Sequence, residues 1–517
     1  MVTHNPTEEQ QLAIDGFRSG SNMVIEAAAG TGKTSTLRFI SDVDPSKRGL
    51  YVAFNKAIQM DARRRFEGTN VTARTAHSLA YAQFGSPMEH KLTRGQRMRA
   101  AQRAEALGLN SALMAQGPGA DFGVKVMKHV VVRIITDTVT AFCRSAESEI
   151  TPDLVPVPPA LMMNPDEDEN FRSQIVRYAK RYWADATNVS GVLPYTHDFY
   201  MKSWALSDPK IEADYILFDE AQDADPLVAS IIGAQTHAQI VAVGDRSQAI
   251  YGWRGATDSM DRFGGDRFQL TQSFRFGHAI ADEANVWLDI LDASLRVRGS
   301  DKPSSVHETK NRVPEAVLCR TNAGAIGEVI FSHRLGVPVA ISGKGRAQQM
   351  RNLAEAAQTL QKQGWTRHPD LDMFTSWEAV QEYVAEDEGA DLAPLVKLVD
   401  LHGPDKLIAA IDRCVPEAQA RTAVSTVHVA KGLEWNHVRI SDDFKVPGKD
   451  DEGNLEEVEP SEAMLAYVAV TRAIRHLDNT GLSWVRAYRK ALRRPELGLE
   501  WRRRFFDERK AAKEFAA

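Results

Sequence analysis

Met23-Val24-Ile25-Glu26-Ala27-Ala28-Ala29-Gly30-Thr31-Gly32-Lys33-Thr34 is an apolar run that breaks into a glycine loop, and Leu37-Arg38-Phe39-Ile40 then reads as a helix. Strand, loop and helix in that order set backbone N–H groups and a helix N-terminus around an anionic phosphate. Lys33 is spaced to reach the β- and γ-phosphates of a nucleotide, and the Thr34 hydroxyl to ligate Mg²⁺. The general pattern has Gly where this chain has Ala27. Gly30 and Gly32 therefore supply the close backbone approach, with Ala28, Ala29 and Thr31 completing the loop. The competing interpretation, a chance glycine turn before a helix, leaves this spacing unexplained.

At 517 residues the chain is too long for one ordinary core. Hydrophobic residues at 43% and charged residues at 26% describe a globular protein. No apolar run approaches the ~20 residues of a membrane span, and the N-terminus lacks the basic-then-apolar order of a secretory signal. No membrane partner is expected. The three cysteines, Cys143, Cys319 and Cys414, are isolated in sequence, which favours a reducing cytosol, here that of a bacterium or of a virus acting in one. A net charge of −6 means that a nucleic-acid partner needs a local basic channel.

Further strands are expected at Leu50–Phe54 and Val71–Ala73, giving the rhythm of a parallel sheet. His90–Leu107, Val124–Phe142 and Phe171–Thr187 form a helical region, with loops at Pro152–Pro159 and at the acidic Asn164–Asn170. Strands return at Tyr215–Phe218, Ile240–Val243, Ala316–Cys319, Val337–Ile341, Ala423–Val427 and His437–Ile440. Gly343–Pro416 is mostly helical, Lys449–Glu462 is an acidic loop and Trp484–Ala517 a basic helical tail.

Tyr215-Ile216-Leu217-Phe218 ends in Asp219-Glu220-Ala221-Gln222-Asp223, which sets two acids at the carboxyl end of a buried strand, where such sheets bind ligands. Asp219 suits the Mg²⁺ already touched by Thr34, and Glu220 suits orientation and deprotonation of an attacking water. Capping of the following helix explains one acid equally well, but not the glycine loop upstream.

Val243-Gly244-Asp245-Arg246-Ser247-Gln248-Ala249-Ile250-Tyr251-Gly252-Trp253-Arg254-Gly255-Ala256 follows. With it the set resembles a superfamily 1 DNA helicase of the UvrD/Rep type. In texture it is closest to the F-box helicase branch, through Thr196-His197-Asp198-Phe199-Tyr200 and the Gly252 of Tyr-Gly-Trp-Arg-Gly-Ala. With few residues ahead of the first motif, no F-box is expected. The resemblance runs from about Asn5 to Ala473. It implies an α/β fold of two RecA-like parallel-sheet domains with a P-loop, each carrying a mostly helical insertion. The implied division is a first domain over 1–87 and 190–277, interrupted by 88–189, and a second over 278–343 and 417–517, interrupted by a reduced insertion at 344–416.

The resemblance also assigns roles. Gln10 reads the adenine edge, although Thr7 and Gln10 equally fit a helix capping box, and the two are compatible. Gln248 meets the γ-phosphate region and couples it to the DNA-facing loop. In Gln272-Ser273-Phe274-Arg275, Phe274 stacks on adenine and Arg275 meets the γ-phosphate; in Tyr467-Val468-Ala469-Val470-Thr471-Arg472-Ala473, Arg472 is an arginine finger. The departures from relatives are Ser35 and Phe274, both at the adenine. Thr75-Ala76-His77-Ser78 resembles a motif that contacts the DNA backbone, here Thr75 and His77. In Thr426-Val427-His428-Val429-Ala430-Lys431-Gly432-Leu433-Glu434-Trp435, His428 and Lys431 would meet phosphates and Glu434 the ribose.

Stacking platforms for a single strand are Phe54, in Tyr51-Val52-Ala53-Phe54-Asn55-Lys56-Ala57, together with Tyr251 and Trp253. Asn55 and Lys56 adjoin the first as DNA contacts. Phe54 read alone is equally a core residue, and Arg254 is either a brace or a phosphate contact. The stripe Lys91, Arg94, Arg97, Arg99 and Arg103 is either a duplex contact or a solvated helix face.

These readings imply an ATP- and Mg²⁺-dependent helicase or translocase, 3′→5′ on single-stranded DNA and at single-strand/duplex junctions, in repair, recombination or replication. A recombinase or a single-strand-binding protein is a candidate partner, and a translocase that strips bound proteins shares every catalytic residue. A binding module would not need Lys33, Glu220 and Arg472 together. A small-molecule kinase would leave the second α/β region unexplained, and a helicase–nuclease would need an added acid–acid–lysine cluster.

Overall fold

The computed structural model describes residues 5–94, 98–110, 113–115, 124–156, 165–251, 259–307, 313–368, 371, 374–385, 392–448 and 456–493. The chain divides into two compact units, Met1–Ala27 with Gly32–Leu270, and Ala28–Thr31 with Thr271–Ala517.

The first unit is built on strands β1 (Met23–Ala27), β2 (Gly49–Ala53), β3 (Val71–Thr75), β6 (Tyr215–Asp219), β7 (Gln239–Gly244) and β8 (Asp266–Leu270). A short antiparallel pair, β4 (Leu113–Ala115) and β5 (Val124–Val126), lies between β3 and β6 in sequence. The sheet order is β3-β2-β6-β7-β1-β8, and its strand pairs are parallel. Strands β2 and β6 are buried along their whole length, which is why they read as continuous apolar runs. Two registers align the chemistry: Asp219 of β6 lies opposite Val243 of β7, and Ile25 of β1 lies opposite that same Val243. The strand ends that carry the glycine loop and the acids are thereby brought to one edge of the sheet.

Between β3 and β6 the described residues are mostly helical. The expected loop at Asn164–Asn170 is corrected, because a helix spans Pro165–Ala186. Proline is suited to a first helical position, and Asp168 pairs with Arg172 one turn on, at 2.7 Å. Lys91 is also corrected as a solvated or DNA-facing residue. It is 5% exposed, and its ammonium donates to the carbonyls of Asp185, Ala186 and Asn188 at 3.1, 2.8 and 3.0 Å. Lys91 thus satisfies orphan carbonyls at the end of the helix Pro165–Ala186. Lys202 serves the helix Lys128–Arg144 in the same way, donating to the carbonyls of Ser145 and Glu147 and lying 4.1 Å over the Phe142 ring.

The second unit contains β9 (Gln272–Gly277), β10 (Arg298–Ser300), β11 (Ser305–Val306), β12 (Ala316–Cys319), β13 (Val339–Ile341), β14 (Thr422–Thr426), β15 (Trp435–Ile440) and β16 (Ala473–Asp478). Its main sheet has the order β11-β16-β15-β12-β14-β13 and is parallel throughout. Between β13 and β14 lie the helices Arg346–Gln363, Trp377–Ala385, Ala393–His402 and Pro404–Asp412, which share a core including Leu360, Trp377, Val399 and Leu407.

The helix Trp484–Arg493 buries Trp484, Val485 and Tyr488. Part of its basic face is committed: Arg486 pairs with Glu283 at 3.3 Å and Arg489 with Asp289 at 2.7 Å. The tail after 493 lies outside the described residues. Among the described residues, no helix is long and apolar enough to cross a membrane.

Candidate nucleotide and nucleic-acid site

The glycine loop takes the geometry that its composition predicts. Gly30 and Gly32 have φ of 76° and 79°, the left-handed region that side chains disfavour. Gly32 is the N-cap of the helix Lys33–Ser41, which has no side-chain cap, so its first-turn N–H groups are available to an anion. Thr31 closes the loop through its hydroxyl, which donates to the Ala28 carbonyl at 2.9 Å. Lys33 and Thr34, both half-buried, open the helix.

Asp219 is 4% exposed at the end of β6. Its Oδ1 accepts from the Glu220 backbone N–H at 2.9 Å, and its Oδ2 accepts from the Tyr51 phenol. Burial raises its carboxyl above the usual range and the Glu220 charge adds to this, while the Tyr51 bond and the Lys33 ammonium oppose it. A buried carboxylate within the field of a lysine and a hydroxyl on the neighbouring loop are hard oxygen donors. They suit Mg²⁺, which keeps waters and nucleotide phosphates as most of its shell. Among the described residues, no cluster of three His, Cys, Asp or Glu side chains forms an all-protein cage.

Glu220 has φ 53°, left-handed for a residue with a side chain. Such strain persists where the surroundings over-determine it, and it collects at working sites. One of those surroundings is Gln222, which is fully buried. Its Nε2 donates to Glu220 Oε2 at 2.6 Å, and its Oε1 accepts from the Asp245 backbone N–H at 3.1 Å. Asp245 Oδ1 in turn accepts from Ser247 N–H at 3.1 Å, and its Oδ2 from Gln248 Nε2 at 2.6 Å. A side chain at Gly244 would put Cβ 2.3 Å from Gln222 Oε1, so a glycine is needed there. Glu220, Gln222, Asp245 and Gln248 form one continuous polar chain.

Three residues beyond Gln248, the ring of Tyr251 stacks on Phe54 with centroids 5.5 Å apart and planes 22° apart. Asn55 caps the helix Lys56–Arg65 by accepting from Ile58 N–H at 3.0 Å, and both Asn55 and Lys56 are exposed. Trp253 and Arg254 lie outside the described residues. Thr75 forms a capping box with Ser78. His77 Nδ1 and His197 Nδ1 lie 3.1 and 3.2 Å from the Tyr200 hydroxyl. The segment Thr196–Tyr200 is thereby joined to the Thr75–Ser78 motif. A phenol has one proton to give, so at least one of these contacts needs an imidazole that donates. Burial lowers the His77 pKa.

Gln10 fulfils the capping box in both directions with Thr7. It is 1% exposed and also donates through Nε2 to Thr36 Oγ1 at 3.0 Å.

Within the second unit, Arg275 Nε donates to Glu434 Oε2 at 2.6 Å, and Nη1 to the Thr471 carbonyl at 2.9 Å. Its neighbour Phe274 is 39% exposed. Arg472 differs from Arg275, being 2% exposed. Its guanidinium donates to the carbonyls of Val468 and Leu433 at 3.0 and 3.4 Å and to Thr471 Oγ1 at 3.1 Å. Arg472 therefore closes the end of the helix Pro460–Val470. His428 and Lys431 are half-buried, at the short helix Val427–Ala430 and its C-cap.

Sequence reasoning passed over Tyr51, Gln222 and Asp245. All three lie within motif stretches, and the polarity of Gln222 and Asp245 beside an apolar strand was a usable signal. Tyr51 gave none, because an aromatic within a buried strand reads as core.

Two parallel sheets, the first carrying a P-loop and a carboxylate pair at its strand ends, define a P-loop α/β protein of RecA-like architecture. The chain belongs to the UvrD-like helicase family: residues 6–261 match the UvrD/REP helicase N-terminal domain and residues 342–478 the UvrD-like helicase C-terminal domain. It is 30% identical over 525 residues to F-box DNA helicase protein 1 of Schizosaccharomyces pombe, covering 92% of this chain and 57% of that protein. Against F-box DNA helicase 1 of Gallus gallus it is 28% identical over 513 residues, covering 91% and 48%. Against the RecBCD enzyme subunit RecB of Mycobacterium tuberculosis it is 24% identical over 353 residues, covering 56% and 32%. The chain spans about half the length of the F-box helicases it matches.

Proposed function

We propose that this chain is an ATP-dependent DNA helicase or translocase that moves 3′→5′ along single-stranded DNA and works at single-strand/duplex junctions. The observation that carries this reading is the polar chain from Glu220 through Gln222 and Asp245 to Gln248, with Tyr251, three residues further along the sequence, stacked on Phe54. The polar chain begins at an acid suited to hydrolysis and ends three residues before an aromatic face suited to bases. Family membership supports the same reading, and the 3′→5′ sense rests on the family resemblance alone.

In this reading the loop Ala28–Thr34 cradles the triphosphate, and Lys33 neutralises charge on its outer phosphates. Thr34 and Asp219 would hold Mg²⁺, which when bound would neutralise charge developing on the nucleotide phosphates. Glu220 orients water and accepts its proton, and Gln222 keeps that carboxylate in place. Gln248 senses the γ-phosphate. Arg275 stabilises charge on the transferring group, with Arg472 as arginine finger once its carbonyl contacts are exchanged. Phe274 and Gln10 face the adenine, and Glu434 the ribose. Phe54, Tyr251 and Trp253 stack on bases, while Asn55, Lys56, Thr75, His77, Arg254, His428 and Lys431 meet the strand's backbone. The domains are those implied by the sequence, with 88–189 and 344–416 as insertions.

Unwinding assays on duplexes with 3′ or 5′ single-stranded tails test the reading. Unwinding of the 3′-tailed duplex alone is expected. Strand-stimulated ATP hydrolysis with neither duplex unwound would favour the translocase that strips a recombinase or single-strand-binding protein.

A further inference from the structure

Tyr51 is a buried polar group beside Asp219 that the proposed chemistry leaves unused. It sits in β2 between Leu50 and Val52, is fully buried, and is paired in register with Leu217 of β6, two residues before Asp219. Its ring packs against Phe66, with centroids 5.3 Å apart. A leucine or phenylalanine would fill that space without burying a hydroxyl. Here the hydroxyl is buried and donates to Asp219 Oδ2. A buried phenol needs such a partner, but the choice of partner is specific.

We propose that Tyr51 is a positioning residue for the divalent cation, fixing the Asp219 carboxylate so that its remaining lone pairs face the metal. The proposal rests on the metal role assigned to Asp219 above. An ionised carboxylate offers about four lone-pair sites. Tyr51 occupies one on Oδ2 and the Glu220 N–H occupies one on Oδ1. With both oxygens held, rotation about Cβ–Cγ is blocked, and the two free sites keep one orientation. Without the phenol the carboxylate keeps a single fixed donor, and metal binding must then order it. Hydrogen-bonding partners of metal ligands act in this way, and their loss typically weakens binding by ~10–100-fold.

The test is Mn²⁺ binding, followed by electron paramagnetic resonance on the full chain with a non-hydrolysable ATP analogue, so that turnover plays no part. Tyr51→Phe removes one oxygen from the site. It is expected to weaken Mn²⁺ binding about tenfold while analogue binding without metal stays unchanged. In an Asp219→Ala background the same substitution is expected to change nothing further, which a general packing defect would not reproduce. Unchanged Mn²⁺ affinity in Tyr51→Phe, or an equal loss in both backgrounds, overturns the proposal and leaves the motor reading standing. Wild-type protein that binds the analogue without recruiting Mn²⁺ overturns the metal role of Asp219 and this proposal together.

Discussion

Gln222 Nε2 lies 2.6 Å from Glu220 Oε2, and that hydrogen bond holds an acid whose backbone is in the left-handed region at φ 53°. The same amide accepts from Asp245, so Glu220, proposed to activate water, and Gln248, proposed to sense the γ-phosphate, share one support. Gln222→Ala should lower the turnover number by roughly tenfold to a hundredfold, as misplacement of a catalytic group does, with the KM for ATP little changed. Steady-state ATPase kinetics read the split, and an unaltered turnover number would sever Gln222 from catalysis.

The strain at Glu220 predicts a trade between stability and activity. Asparagine tolerates the left-handed region better than glutamate. Glu220→Asn should therefore hold or raise the melting midpoint, with about 1 kcal/mol of strain at stake, while ATP hydrolysis is lost. A variant that is both less stable and inactive would contradict this.

Arg275 and Arg472 should separate in their effects. Arg275 is half-buried and held by the exposed Glu434 and one carbonyl, whereas Arg472 is buried on the carbonyls of Val468 and Leu433. Arg275→Ala should reduce turnover by on the order of a hundredfold or more with the melting midpoint nearly unchanged. Arg472→Ala should reduce turnover and lower the midpoint as well, because it leaves buried acceptors without partners. Thermal melts beside ATPase assays decide the matter.

Stacking of Phe54 on Tyr251 predicts that either residue changed to alanine weakens single-strand binding by about 1–3 kcal/mol. The salt dependence of binding should stay the same, since no phosphate contact is removed. Fluorescence anisotropy at several salt concentrations distinguishes this from loss of a charge contact.

Asp225 predicts a pH effect on stability. It caps the helix Pro226–Gly233, accepting from Val228 N–H at 2.8 Å, and burial pushes its carboxyl up to about 6. A folded-state value above the unfolded one means that its stabilising effect is full below about 4 and is lost as pH rises through about 6. Asp225→Asn keeps an N-cap acceptor without the buried charge. Its melting midpoint should exceed wild type at pH 8, with the gap narrowing towards pH 4.

Much of the first sheet was legible in the sequence, for a physical reason. Strands β1, β2, β6 and β7 are buried on both faces and read as apolar runs bounded by glycine or acid. The edge strand β8 (Asp266–Leu270) was not visible, because most of it faces solvent and its residues are mixed. Strand β16 (Ala473–Asp478) was hidden by its arginine, histidine and aspartate. Asn164–Asn170 looked like a loop because acids and a proline break apolar periodicity, yet both are compatible with a helix start. Lys91 read as a surface cation because charge usually means solvent. Its three carbonyl partners lie more than ninety residues away in sequence. Tyr51 and Asp219 are likewise 168 residues apart, and no local pattern announces such a bond.

The most direct test of the account is ATP hydrolysis with and without single-stranded DNA, in wild type and in Lys33→Ala. The account predicts hydrolysis that rises strongly with single-stranded DNA in wild type and is abolished in Lys33→Ala at every DNA concentration. Wild-type hydrolysis indifferent to single-stranded DNA, or strand-stimulated hydrolysis that survives Lys33→Ala, would contradict it.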